Sequence, residues 1–403
     1  MIDFLYDKAI DYCDDVRDGT HDSPKHLKEG KMLVTSKNIN NSELDLTNVT
    51  YISEDDYVKI NERSKVDKND ILYSMIGTVG LVYRVKEEPN YAIKNLGLFK
   101  VKDEVKSKWL YYYLNSSESQ NNVTGLLNGS TQKFISLSNL RNLQIKYPSD
   151  YYVMKKIVNV LDRIDNKILL NNKIKDNLLN LNEAFFEEKI KKGNDNRKNL
   201  LDIADIFNGY SYKGTELIEC SKTGLLTIKN FDRSGGFKND GFKDIAPEKI
   251  KETALVEMND ILVACTDLTQ KAEIIGNPIL LLNKSKYDKI VASMDLVKII
   301  PKDKNLKYII FQNLLNDEFK KYALGYVSGT TVLHLNKKCF SSYDVYIPSE
   351  NNIEKFNEYF KTNYEKISQI ISSNILLEEL KQNMIELFVR GNVNVEDLPI
   401  FDD

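Results

Sequence analysis

With 403 residues, 42% of them hydrophobic and 29% charged, the chain can build two or three globular domains with buried cores, and wholesale disorder is not expected. A net charge of −3 and a pI near 5.9 argue against a uniformly basic nucleic-acid binder, although lysine clusters such as Lys100–Lys102 and Lys284–Lys286 leave room for a basic face. No apolar run approaches the roughly 18 residues of a membrane span, and three histidines with four scattered cysteines (Cys13, Cys220, Cys265, Cys339) form no zinc or redox motif, so a cytoplasmic protein with reduced thiols is expected.

The chain opens with an acidic stretch, MIDFLYDKAIDYCDD, which lacks the basic-then-apolar pattern of a leader. Residues 1–150 then carry short runs rich in Val, Ile, Leu and Tyr at 31–39, 70–85 and 96–101. Gly77, Gly80 and Pro89-Asn90 punctuate these runs, a pattern of twisted sheet, while 107–115 has helical spacing. Residues 151–192 form a helical spacer, with a helix expected from about 152 to 191. Ile157, Leu161, Ile164, Ile168, Ile174, Leu178, Leu181 and Phe185 recur in steps of three and four, the seam of a coiled coil. Residues 193–350 repeat the mixed pattern, with strand-like runs at 224–231, 260–266, 272–282 and 291–300 and a helical stretch at 306–325. A second helical spacer, 351–391, carries a helix expected from about 352 to 390 with Phe356, Phe360, Ile367, Ile370, Leu377, Met384 and Leu387 in its seam; residues 392–403 are a tail.

Several motifs occur twice in the same order. Asn69-Asp70-Ile71-Leu72 returns as Asn259-Asp260-Ile261-Leu262, 190 residues on. Leu33-Val34-Thr35-Ser36-Lys37-Asn38-Ile39 returns as Leu225-Leu226-Thr227-Ile228-Lys229-Asn230-Phe231. Gly129-Ser130-Thr131 and Tyr147-Pro148-Ser149 return 200 residues later as Gly329-Thr330-Thr331 and Ile347-Pro348-Ser349. The chain is therefore read as a tandem duplication. The expected fold is α+β: two homologous sheet-containing units separated by two long helices. Neither helix can bury its stripe alone, so the two are expected to pack as an antiparallel coiled coil, with Asn171, Asn172 and Asn374 either fixing its register or facing water. Such a rod would hold the units at opposite ends about a pseudo-two-fold axis. Two-fold DNA readers address half-sites roughly 34–36 Å apart.

If the units read DNA, Asn and Gln suit adenine, Lys and Arg suit guanine, and Ser and Thr suit bases or phosphates. The candidates are the loop Ser130, Thr131, Gln132 and Lys133, its counterpart Thr330 and Thr331 with His334, and the matched pairs Lys37-Asn38 and Lys229-Asn230. Ser74, Thr78, Thr266, Asp267 and Gln270, which follow matched strands, and His21 complete the set. Each competes with an ordinary role in a turn or a solvated loop.

Asp18-Gly19-Thr20-His21 before Ser23-Pro24, Asn69-Asp70-Ile71-Leu72 with Gly77, Gly129–Ser136 and the opening 200–211 (LLDIADIFNGYS) together resemble the specificity subunit of type I restriction–modification systems, over essentially the whole chain. The resemblance implies two target-recognition domains alternating with two helical spacers, no active site in this chain, and a bipartite, gapped DNA target. It implies docking of two methyltransferase subunits that methylate adenine with S-adenosylmethionine, and of motor–nuclease subunits that use ATP and Mg2+; no cofactor is expected on this chain. The Pro-rich step usual before the family's helices is reduced here to Pro148 and Pro348. The DGTH element has no obvious copy in the second unit, where its counterpart is expected near Tyr212-Lys213-Gly214-Thr215. Phosphate-loop, dinucleotide, zinc-protease, nucleophile-elbow and adenine-methyltransferase motifs are missing, and Glu187-Glu188-Lys189 reads as a charged helix face, not a nuclease site. A coiled-coil adaptor that binds only protein is the alternative.

Overall fold

A computed structural model describes residues 2–40, 43–129, 133–192, 196–233, 235–394, 396 and 398. The chain divides into two compact units, Met1–Ile168 with Leu376–Asp403, and Leu169–Ile375, so each unit takes part of both long helices.

The units repeat one topology. In the first, a four-stranded antiparallel sheet runs in the order Asp15–Asp18, Leu96–Lys100, Ile71–Ser74, Val82–Arg84. In the second the order is Ala204–Asn208, Leu296–Pro301, Ile261–Ala264, Pro278–Leu280. Beside each lies a smaller sheet with one parallel pairing: Lys31–Val34 against Tyr91–Ile93 in the first unit, Thr223–Leu226 against Lys289–Ala292 in the second. A two-stranded ribbon completes each unit, Phe4–Lys8 with Gln144–Pro148 and Arg197–Asn199 with Asp344–Tyr346.

The repeated Asn-Asp dipeptide has a physical reason. Asn69 and Asn259 sit at φ 72° and 64°, a left-handed turn that asparagine tolerates better than most residues. The following carboxylate accepts a turn amide, from Asp67 N at 2.7 Å in one unit and Glu257 N at 2.9 Å in the other. It also pairs with a lysine from the neighbouring strand, Lys100 to Asp70, and Lys298 to Asp260 at 2.7 Å. The dipeptide thus starts each central strand and clamps it to its neighbour.

Three sequence expectations are refined and one element is added. The run 272–282 is strand only at Pro278–Leu280, because the residues before it turn over a helix. The stretch 306–325 is two helices, Lys307–Leu315 and Asp317–Leu324, broken where the Asn316 side chain accepts the Glu318 amide at 3.1 Å. A helix at Glu54–Ser64, capped by Ser53, was not anticipated; it buries only Ile60 among its apolar residues and so shows almost no stripe. The counterpart of Asp18-Gly19-Thr20 is Asn208-Gly209-Tyr210, and not 212–215. Gly19 N and Gly209 N donate to Leu96 O and Leu296 O, at 2.8 and 3.1 Å. A Cβ on either glycine would press into the carbonyl of Ile93 or Ser293, so both positions require glycine.

The long helices are Tyr151–Phe185, continued by a π-helical turn Phe186–Lys191, and Glu350–Arg390. Within the first unit Ile157 and Leu161 share a core with Ile385 and Phe388, and Lys381 pairs with Asp165 at 2.8 Å. Within the second, Leu178 and Phe186 pack with Phe356, Phe360 and Ile367, and Phe185 stacks on Tyr359 at 4.1 Å. Asn171 Nδ2 donates to Asn374 Oδ1 at 2.7 Å, Asn374 Nδ2 to Asn172 Oδ1 at 3.0 Å, and Asn363 Nδ2 to Asn182 Oδ1 at 2.7 Å. As one partner's number rises the other's falls, so the packing is antiparallel. Of the remaining seam positions, Ile164 is buried, while Ile168, Ile370, Leu377 and Met384 are half-buried. Ile174, Leu181 and Leu387, read as seam residues, are exposed; in the first helix buried Asn171 and Asn182 lie on the packed face instead.

Candidate nucleic-acid interface

At one end of its four-stranded sheet, each unit joins several loops through main-chain hydrogen bonds. In the first unit Lys94 N donates to Val34 O at 2.9 Å, tying the parallel strand ends. Thr20 N donates to Ile93 O at 3.0 Å and Asn95 N to Thr20 O at 3.2 Å. Leu96 pairs with Ser74, and Ile135 N donates to Met75 O at 3.0 Å. The second unit repeats the series: Ser293 N to Leu226 O at 2.8 Å, Tyr210 N to Ala292 O at 2.7 Å, Cys265 N to Asp295 O at 2.7 Å and Leu335 N to Cys265 O at 2.9 Å. The result in each unit is a continuous edge made of the loop after the parallel strand, the Gly-containing turn, the strand-to-strand turn at 94–95 or 293–295, the loop after the central strand, and the loop before the last helix turn.

The structure separates the candidates into two groups. Lys37, Thr78 and Lys133 of the first unit, and Lys229, Gln270, Thr330, Thr331 and His334 of the second, are exposed on this edge. His334 pairs in register with Thr266 and Ser328, and Gln270 donates to Thr330 O, so the two polar loops of the second unit meet. Gly129 and Gly329, 200 residues apart, both have positive φ (90° and 118°) and open the matched loops. Ser130, Thr131 and Gln132 lie outside the described residues.

The other group is engaged inside the fold. Asn38 and Asn230 are 6% and 0% exposed. Each accepts the amide of Thr35 or Thr227, at 2.9 and 3.0 Å, and donates at 3.0 Å to the carbonyl of Asp45 or Lys238. Their amides close a 3-10 turn that presents the preceding lysine, and a base edge has no access to them. Ser74 is buried, donating to Thr78 O at 2.6 Å and accepting Leu81 N at 2.7 Å. Thr266 donates to Asp295 at 3.1 Å. Asp267, 1% exposed, accepts Thr269 N and Ile274 N, both at 2.8 Å. Burial pushes the Asp267 carboxyl up, but the amides of Ile274 and Thr269 outweigh it and hold the group below the usual range, so it stays ionised as the hub of its loop. His21 is exposed, yet its ring nitrogens face Asn95 Oδ1 and Asp18 Oδ2, both at 2.9 Å, and Asp18 also pairs with Arg63.

Residues outside the candidate set also reach this edge. Lys94 Nζ donates to Ser23 Oγ at 2.7 Å, Lys337 donates to Asn208, and Leu268 is 68% exposed at a loop tip. Among the described residues no group of His, Cys, Asp and Glu is arranged to hold a metal ion, and no helix is long and apolar enough to cross a membrane.

Known proteins resemble this chain in sequence and in fold. The family model described as the type I restriction modification DNA specificity domain matches residues 22–180, most of the first sheet-containing unit and much of the helix that follows. Among curated proteins the chain is 24% identical over 391 residues to the type I restriction enzyme MjaIX specificity subunit of Methanocaldococcus jannaschii, covering 88% of this chain and 86% of that protein. The chain is a type I specificity-subunit-like protein. A second relative, the type I restriction enzyme EcoBI specificity subunit of Escherichia coli, is 29% identical over 126 residues, or 30% of this chain and 26% of that one. A solved S subunit of a type I restriction-modification system from M. genitalium shares the fold of this specificity-subunit-like chain, with a TM-score of 0.51 at 18% identity over 96% of each chain.

Proposed function

We propose that this chain is the sequence-reading subunit of a type I restriction–modification complex. Its two recognition units, residues 1–150 and 193–350, would read the two halves of a gapped duplex site. The helical spacers 151–192 and 351–391 would provide docking for two methyltransferase subunits, to which motor–nuclease subunits can be added. The observation that carries this reading is the duplicated edge: two units join the same loops in the same order but display different side chains, as two different half-sites require. Lys37, Lys94 and Lys133 in one unit and Lys229 and Lys337 in the other offer phosphate contacts, while Thr78, Gln270, Thr330, Thr331 and His334 offer base contacts. Chemistry belongs to the partners: S-adenosylmethionine would serve the methyltransferase and ATP with Mg2+ the motor, in the cytoplasm. The chain's own part is positioning.

The test is a genome-wide map of N6-methyladenine in a host expressing this chain with its neighbouring methyltransferase, against a control lacking this chain. A new motif of two short specified halves around a fixed gap is expected, and exchanging one unit should change one half only. No new methylation from a soluble, associated pair would favour the protein-binding adaptor.

A further inference from the structure

The loop after the central strand differs between the units, and so does the side chain that holds it. In the first unit this loop is residues 75–81. Gln120, the fourth residue of the Ser117–Thr124 helix, donates from Nε2 to Gly80 O at 3.2 Å and to Leu114 O at 2.7 Å. In the second unit the loop is nearly twice as long, residues 265–277. Lys320, the fourth residue of the Asp317–Leu324 helix and 200 positions after Gln120, reaches into it. Its ammonium donates to Ala272 O at 2.9 Å, Glu273 O at 3.1 Å, Ile275 O at 2.6 Å and Asn277 Oδ1 at 2.8 Å.

The longer loop turns several carbonyls inward over the helix, and Gly276 comes so close that a Cβ there would meet Ala323 Cβ at 3.2 Å. Buried carbonyls need donors. A glutamine amide carries two N–H groups in one plane, whereas an ammonium carries three that point apart and can be shared among four oxygens. The loop therefore has two hubs of opposite sign, the Asp267 carboxylate collecting N–H and O–H donors and the Lys320 ammonium collecting acceptors. Between them they fix the segment that carries Leu268 and Gln270 onto the edge.

We propose that Gln120 and Lys320 occupy one positioning register in the duplicated unit, and that the donor placed there, amide or ammonium, determines the loop each unit can hold in reading position. Neither residue touches DNA in this scheme; each acts through the loop it fixes. The part that concerns target specificity rests on the function proposed above.

The experiment uses the full chain co-expressed with its methyltransferase, in wild-type, Lys320→Met, Lys320→Arg and Gln120→Leu forms. Hydrogen–deuterium exchange reads the loops directly, without DNA. Lys320→Met should raise exchange in residues 265–277 at least tenfold while the Ile261–Ala264 strand stays protected, and Lys320→Arg, which keeps the charge and several donors, should restore most of the protection. Gln120→Leu should loosen 75–81 and leave 265–277 unchanged. On the methylation map, Lys320→Met should admit mismatches in one half of the target and Gln120→Leu in the other. Unchanged exchange of 265–277 in folded Lys320→Met overturns the proposal, as does equal loss of stringency in both halves. If exchange rises as expected but the wild-type complex directs no methylation, the positioning role stands and the DNA-reading function is what fails.

Discussion

The asparagine contact between the two long helices makes a quantitative prediction. Asn171 is 5% exposed, and its Nδ2 donates to Asn374 Oδ1 at 2.7 Å, while Asn374 Nδ2 donates to Asn172 Oδ1 at 3.0 Å. Asn374→Leu removes both bonds and strands the covered Asn171 amide. The lost bonds and the unpaired buried donor together cost about 2 kcal/mol, partly offset by the added apolar surface. For a cooperative unit of about 200 residues this lowers Tm by roughly 4–8 °C. Asn171→Leu removes only the first bond and leaves Asn374 Nδ2 on Asn172 Oδ1, so it should cost about 1 kcal/mol. The double variant Asn171→Leu/Asn374→Leu joins two apolar side chains in the seam and should recover to near the wild-type Tm, giving a coupling energy of about 1–3 kcal/mol across the cycle. Scanning calorimetry of the four proteins measures this. A single variant as stable as wild type, or a double variant whose loss is the sum of the singles, would refute the argument that the two amides depend on each other.

Three further outcomes follow from the same kind of reasoning. Lys298→Met leaves the Asp260 carboxylate with the Glu257 amide and the more distant Lys307 at 3.7 Å, and should cost about 3 kcal/mol by urea denaturation, with Asp260→Asn in the same chain recovering part of the loss. Gly209→Ala, whose new Cβ would sit 1.9 Å from Ser293 O, should cost about 3 kcal/mol or more, or yield insoluble protein; Gly214→Ala, with nothing within 4 Å, should stay within about 0.5 kcal/mol of wild type in the same assay. Burial pulls the Lys320 ammonium down to about 8 from an ordinary 10.5, with the Asp267 charge offsetting only part. The unfolded chain therefore binds more protons than the folded one between these values, and stability rises with pH across that window. The Tm of wild type should gain on that of Lys320→Met between pH 8 and 10, and a gap that shrinks over this range would show the sign to be wrong.

What the sequence made legible is what local backbone chemistry demands. Asn69-Asp70 and Asn259-Asp260 could be matched by eye because one residue supplies a left-handed turn and the next receives its amide, and few other pairs do both. The long helices were legible because apolar steps of three and four persist for many turns. Elements whose logic is tertiary were not. The Glu54–Ser64 helix has almost no buried stripe. Lys213-Gly214-Thr215 imitates the first unit's turn in composition, but the turn is defined by a glycine packed against a carbonyl, a property that Gly209 has and Gly214 lacks. Among the candidate site residues, Asn38 and Asn230 show the same limit: their repetition marks a shared cap, and a repeated polar residue in sequence carries no label saying whether it faces inward or out.

The edges of both units are held by main-chain amides and carbonyls, from Lys94 N to Val34 O through to Leu335 N to Cys265 O. Every residue except proline brings these groups, whatever its side chain. Exposed positions such as Lys37, Thr78 and Thr331 can therefore be replaced without unpicking the loops they sit on, whereas the Gln270 side chain also ties its loop to Thr330 O. Folding places almost no demand on the letters displayed there, so the surface can drift or be overwritten while the scaffold beneath persists. Proline is the exception: at Lys94, Tyr210, Ser293 or Leu335 it would delete the donor that ties one loop to the next.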